Sequence, residues 1–143
     1  MRKNNQALAR GFTLIEILIV VVIIGMLASL VGPQLFKKVG SSRQKTAQAQ
    51  MSMIETALKT FRLDIGRYPT SEEGLKSLVI KPESLRAWDG PYLEKDVPLD
   101  PWSNPYIYKC PAEKSEYEII SYGADGKPEG DGENKDIKSW EIR

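Results

Sequence analysis

A single glutamate, Glu16, is the only charge in residues 12–32, an otherwise apolar run of 21 residues. A carboxylate in such surroundings costs about 2.5–3.5 kcal/mol on insertion scales, so it calls for a partner. No Lys or Arg lies within helical reach on its carboxyl side, while Arg10 could approach from the amino side. A second concentration of chemistry is the glycine-rich acidic stretch 122–136, with Asp125, Asp131, Glu133 and Asp136. Hard cations such as calcium take about six to eight oxygens, and a loop dense in carboxylates and free carbonyls can supply them. The alternative is a solvated acidic turn. Asp125, Gly130 and Asp136 fall at the first, sixth and twelfth positions of an EF-hand pattern. Lys127 and Pro128 break that pattern, and a strand rather than a helix precedes it, which argues against an EF-hand.

Catalysis has little to draw on. Histidine is absent, which removes the commonest general base and metal ligand. Asp100, Asp125 and Asp136 could serve acid–base work. They lie in turn-like contexts rich in glycine or proline, better suited to structure or metal binding. A membrane-tethered calcium-dependent enzyme is therefore the weaker reading, and an assay of the ectodomain for hydrolase activity addresses it. No basic patch of nucleic-acid type stands out.

The elements that must position these groups follow from the pattern. An apolar run of about 20 residues is long enough to cross a bilayer as a helix. Arg2, Lys3 and Arg10 precede it, placing the amino terminus in the cytoplasm and the bulk outside. Without those three, 17 basic residues face 19 acidic ones, although the whole chain is formally +1. A secretory signal peptide fits less well than an anchor: the run is long, no small-x-small cleavage site ends it, and an amphipathic helix follows. Ala47, Met51, Ile54, Leu58, Phe61 and Ile65 recur at steps of four and three, one face of a helix. Gly66 sits at its C-cap and Pro69 prevents continuation, giving with the span a helix of about 50 residues. Gly25, Gly32 and Pro33 interrupt it, and a mild kink is the ordinary consequence.

Beyond Gly66 the chain becomes loop-rich. Residues 71–79 predict a short helix with Thr70 or Ser71 as N-cap. Residues 106–109 and 116–121 read as short strands with alternating faces. The expected architecture is α+β: one long helix packed on a small antiparallel sheet with long loops, anchored by Trp102, Tyr106, Tyr108, Tyr117 and Ile119. A core of that size yields only a few kcal/mol, so a staple is expected. Cys110 is the only cysteine, so no intrachain disulfide can provide it.

Arg10-Gly11-Phe12-Thr13-Leu14-Ile15-Glu16 resembles the processing site of type IV pilins and type II secretion pseudopilins. Three further phrases look like the major pseudopilin of type II secretion: Tyr68-Pro69-Thr70-Ser71-Glu72-Glu73-Gly74-Leu75, then Leu99-Asp100-Pro101-Trp102 with Asn104-Pro105-Tyr106, then Ser121-Tyr122-Gly123-Ala124-Asp125-Gly126. The resemblance spans essentially the whole chain. Major type IV pilins commonly carry a cysteine pair here; this chain cannot, which favours the pseudopilin over a surface fibre for adhesion or motility.

The resemblance implies a type IV pilin-like fold in four segments. Residues 1–11 are a leader, 12–33 the membrane and assembly helix, 34–65 its amphipathic continuation, and 66–143 the periplasmic region. A prepilin peptidase would cut between Gly11 and Phe12 and methylate the Phe12 amine. Glu16 would then pair with the amine of a neighbouring subunit, offsetting part of its desolvation cost. The segment between Gly25 and Pro33 would be extended or melted in the assembled filament. A structural calcium ion would be held in residues 122–136 by Asp125 and Asp136 with the carbonyls of Tyr122 and Lys127, completed by Asp131 or Glu133. The implied partners are further copies in a helical homo-oligomer, minor pseudopilins, and an inner-membrane assembly platform with its cytoplasmic ATPase. The implied place is the bacterial inner membrane, spanned once, and then a periplasmic pseudopilus that helps export folded proteins.

Overall fold

The computed structural model describes residues 11–142, except for the side chains of residues 33–37. The leader segment 1–10, including Arg10, lies outside the described residues. The chain divides into two units after Lys37.

One helix, α1 (Leu14–Ile65), supplies the whole amino-terminal unit beyond residue 13. Within it Leu14–Gly32 is long and apolar enough to cross a membrane, and none of that stretch is buried within the chain itself. The exposed row includes Leu14, Ile17, Val21, Ile24 and Leu27. Apolar area of this extent is stable against lipid or other protein, not water. Gly25, Gly32 and Pro33 all lie within α1 as it stands in the single chain.

In the carboxyl-terminal unit, the second half of α1 carries the core. Ala47, Met51, Ile54, Leu58 and Phe61 are fully buried, and Ile65 packs beside them. Burying each large apolar side chain contributes about 1.5–3 kcal/mol. Gly66 closes the helix with its N–H on the Arg62 carbonyl at 2.8 Å.

Three short strands, β1 (Ile107–Lys109), β2 (Glu118–Ser121) and β3 (Ile137–Lys138), form an antiparallel sheet in the order β1-β2-β3. Ile107 pairs with Ile120, and Ser121 pairs with Ile137. Ile119 and Ile137 join the helix residues in the core, together with Leu75, Leu78, Leu85, Leu93 and Tyr106. Of the expected anchors, Tyr106 and Ile119 are buried, whereas Trp102, Tyr108 and Tyr117 pack half-buried against the cluster. Two of these phenols keep hydrogen-bond partners. Tyr106 donates to Gln50 Oε1 at 2.6 Å and Tyr108 to the Pro69 carbonyl at 2.8 Å. Burial pushes both hydroxyls well above the usual tyrosine range.

Two local expectations need correction. The helix expected over 71–79 is a turn followed by a 3-10 turn, Leu75–Leu78. Its cap forms as expected at Thr70, but Gly74 adopts φ 60°, ψ −174°, which takes the backbone out of the helix after one turn. The strands are also shorter than 106–109 and 116–121. The Cys110 N–H turns to Ser71 Oγ at 2.8 Å, and Pro111 has no N–H to give, so β2 has no partner before Glu118.

Candidate functional site

Two places carry the candidate chemistry, one in each unit. At the amino-terminal one, Gly11, Phe12 and Thr13 precede the helix in non-helical backbone, and Phe12 is 82% exposed. Thr13 is the N-cap. Its hydroxyl accepts the Glu16 N–H at 3.3 Å, and Glu16 Oε2 accepts from both the N–H and the hydroxyl of Thr13 at 2.8 Å. This is a reciprocal capping box, which satisfies backbone donors left free at a helix start. A search for a basic partner misses it. The signal was present as Thr13-x-x-Glu16, the spacing that a capping box requires. The second carboxylate oxygen, Oε1, accepts no hydrogen bond among the described residues.

At the other place, residues 122–136 form a loop between β2 and β3 that folds back on itself through two 3-10 turns, Gly123–Asp125 and Gly132–Asn134. The turns pack closely. Gly123 has φ +67°, and a Cβ there would lie 2.5 Å from the Glu133 carbonyl. Asp136 sits where the loop re-enters the sheet. Its Oδ2 accepts the Glu129 N–H at 3.2 Å and lies 3.8 Å from Lys138 Nζ. Its Oδ1 is buried and has no hydrogen-bond partner. An uncompensated carboxylate oxygen is costly, and a cation is one group that satisfies it.

The other expected ligands are placed differently. Asp125 is exposed and its Oδ1 accepts the Lys127 N–H at 3.2 Å, closing a local turn. Tyr122 is the cap of the first 3-10 turn. Asp131 is exposed, and its carboxylate has no hydrogen-bond partner among the described residues. Glu133 is engaged elsewhere: it pairs with Arg43 at 3.0 Å and accepts from Trp102 Nε1 at 3.3 Å. Among the described residues, Asp125, Asp131 and Asp136 do not form a three-carboxylate cluster. The donor set is nonetheless all oxygen, as a hard cation requires, and the open position on Asp136 fits one.

The scaffold beneath the loop was only partly legible. Asp100 is 4% exposed and accepts three hydrogen bonds: the N–H groups of Trp102 at 3.0 Å and Asn104 at 2.8 Å on Oδ1, and the Ser121 hydroxyl at 2.6 Å on Oδ2. Asn104 Nδ2 in turn donates to the Gly123 carbonyl at 2.8 Å. The Asp-Pro-Trp phrase is thus a turn that grips the loop rather than a source of acid–base chemistry.

Comparison with known proteins agrees with this layout. A family model described as type II secretion system (T2SS), protein G, matches residues 34–140, and the prokaryotic N-terminal methylation motif matches residues 7–32. The chain is 40% identical to the type II secretion system core protein G of Pseudomonas aeruginosa, covering 99% of each chain. It is also 40% identical to the core protein G of Vibrio cholerae, covering 100% of this chain and 96% of that one. The crystal structure of the major pseudopilin from the type 2 secretion system of enterohaemorrhagic Escherichia coli superposes with a TM-score of 0.62 at 34% identity. That match covers 71% of this chain and 90% of the solved one. With its long capped amino-terminal helix, small antiparallel sheet and matching sequence throughout, the chain belongs to the type II secretion system protein G family, the major pseudopilins.

Proposed function

We propose that the chain is the major pseudopilin that polymerises into a periplasmic pseudopilus and supports export of folded proteins across the outer membrane. The observation that carries this reading is full-length likeness to core protein G combined with an apolar helix, Leu14–Gly32, that has no cover within its own chain. The family is one of structural subunits, and this chain is no enzyme. A prepilin peptidase cuts between Gly11 and Phe12, whose exposed, non-helical backbone suits a protease cleft. The new Phe12 amine is methylated. The helix then holds the subunit in the inner membrane, amino terminus inward, until an assembly platform and its ATPase pass it into the filament with further copies and minor pseudopilins.

In the filament, Glu16 meets the Phe12 amine of a neighbouring subunit. The capping box leaves Oε1 open for that contact while Oε2 stays on Thr13. Local unwinding between Gly25 and Pro33 belongs to the same state, since each Gly costs about 1 kcal/mol and an interior Pro about 3 in a helix. The test is Glu16→Ala in a strain that makes long filaments. Membrane insertion should persist and filament yield should drop sharply; wild-type filament levels would rule the Glu16 contact out.

The loop holds a calcium ion through Asp125, Asp136, Asp131 and the carbonyls of Tyr122 and Lys127. Asp131 is preferred to Glu133 because Glu133 is occupied by Arg43 and Trp102. When bound, calcium would supply the partner that Asp136 Oδ1 lacks and would cross-link a domain that has no disulfide.

A further inference from the structure

We propose that Asp100, acting through Ser121 and Asn104, is the positioning residue that presents the amino-terminal limb of the metal loop to its ion. This inference rests on the calcium reading above and deepens it. A metal site depends on the groups that orient its ligands as well as on the ligands, and loss of such a group typically weakens metal affinity about 10–100-fold.

The geometry is a short chain of contacts with its root in the interior. Asp100 is buried, and Ser121, at the end of β2, is fully buried. Asp100 Oδ2 accepts the Ser121 hydroxyl at 2.6 Å, and that same oxygen of Ser121 accepts the Gly123 N–H at 3.3 Å. Asp100 Oδ1 meanwhile accepts the N–H of Asn104 at 2.8 Å, and the Asn104 side chain donates to the Gly123 carbonyl at 2.8 Å. Both the N–H and the C=O of Gly123 are therefore fixed from one carboxylate. Gly123 cannot shift toward the other limb, because the Glu133 carbonyl already lies within 2.5 Å of where its Cβ would be.

Tyr122 and Asp125 flank this fixed point: one precedes Gly123 and the other ends the 3-10 turn that Gly123 begins. With Gly123 held, the Tyr122 carbonyl and the Asp125 backbone have little freedom left. Asn104 also lies beneath the end of the turn, its Oδ1 3.5 Å from the Cβ position of Gly126. A carboxylate at position 100 is required because only acceptors can serve all three donors. An amide there turns one acceptor into a donor, so either the Ser121 hydroxyl or the two N–H groups lose their acceptor.

The test uses the full-length chain purified in detergent, with calcium affinity measured by titration and melting followed with calcium and with chelator. Ser121→Ala and Asn104→Ala should each weaken calcium affinity at least tenfold, shrinking the calcium-dependent rise in melting temperature. Ser77→Ala is the control. Ser77 is similarly buried and hydrogen-bonded, to the Gly74 carbonyl at 2.7 Å, but shares no hydrogen bond with this network among the described residues. It should lower melting equally in calcium and chelator, with affinity unchanged. Wild-type affinity in both Ser121→Ala and Asn104→Ala would overturn the positioning role while leaving the metal site standing. A wild-type chain that binds no calcium at millimolar concentration would overturn both.

Discussion

Thr70 and Glu73 form the same reciprocal box as Thr13 and Glu16, with one addition. The Thr70 N–H donates to Glu73 Oε2 at 2.8 Å, the Glu73 N–H donates to Thr70 Oγ1 at 3.2 Å, and Arg67 grips both carboxylate oxygens at 2.7 and 2.8 Å. The Arg67 guanidinium, burial opposing it, holds the Glu73 carboxyl below its usual 4.5. A depressed carboxyl pKa stabilises the fold fully above the unfolded value and ceases to do so as pH falls through the folded one. Glu73→Gln keeps a cap at this position but removes the charge, and should cost about 1 kcal/mol at neutral pH. In denaturant melts the gap from wild type should shrink as pH falls from 4.5 through the lower folded-state value; a gap unchanged down to about pH 2 would contradict the assignment. At this scale the sequence was informative about which residues mattered and less so about their partners. Glu16 stood out by its charge, yet its Thr13 contact is a local backbone effect that a search for opposite charges overlooks. Asp100 stood out as part of a phrase, but its partner Ser121 is 21 positions away and no local pattern joins them.

The long helix was the most legible element, because its period is physical. Ala47, Met51, Ile54, Leu58 and Phe61 lie on one face, and all five are fully buried. Phe61→Ala should destabilise the carboxyl-terminal unit by about 3–5 kcal/mol, the range for emptying an aromatic site in a core. Leu63→Ala, on a side chain that is 83% exposed, should stay within about 0.5 kcal/mol of wild type. Equal losses at the two positions, read by chemical denaturation, would contradict the face assignment. The sheet was less legible. A two-residue strand such as Ile137–Lys138 carries no periodicity of its own, and it exists because Ser121 and Ile120 offer it an edge. The helix expected over 71–79 failed for a related reason: composition favoured it, and one glycine conformation stopped it.

At the level of the whole molecule, an anchor that needs cover from outside its own chain precedes a small domain without a disulfide. The anchor is visible as an apolar helix whose span leaves no side chain buried. At the loop, Asp136 Oδ1 is buried without a hydrogen-bond partner, and the lone Cys110 cannot form an intrachain bridge. An ion that binds only the folded state at 100 times its dissociation constant adds about 2.7 kcal/mol, so calcium at millimolar concentration should raise the melting temperature by several degrees, and chelator should reverse it. An unchanged midpoint would exclude the site. The central claim, however, is that this chain is processed and assembled as a pseudopilin, and the most direct measurement is the mature amino terminus by mass spectrometry of protein recovered from membranes. The expected mature chain begins at N-methylated Phe12; an intact leader, or a cut downstream of the apolar helix, would contradict this processing.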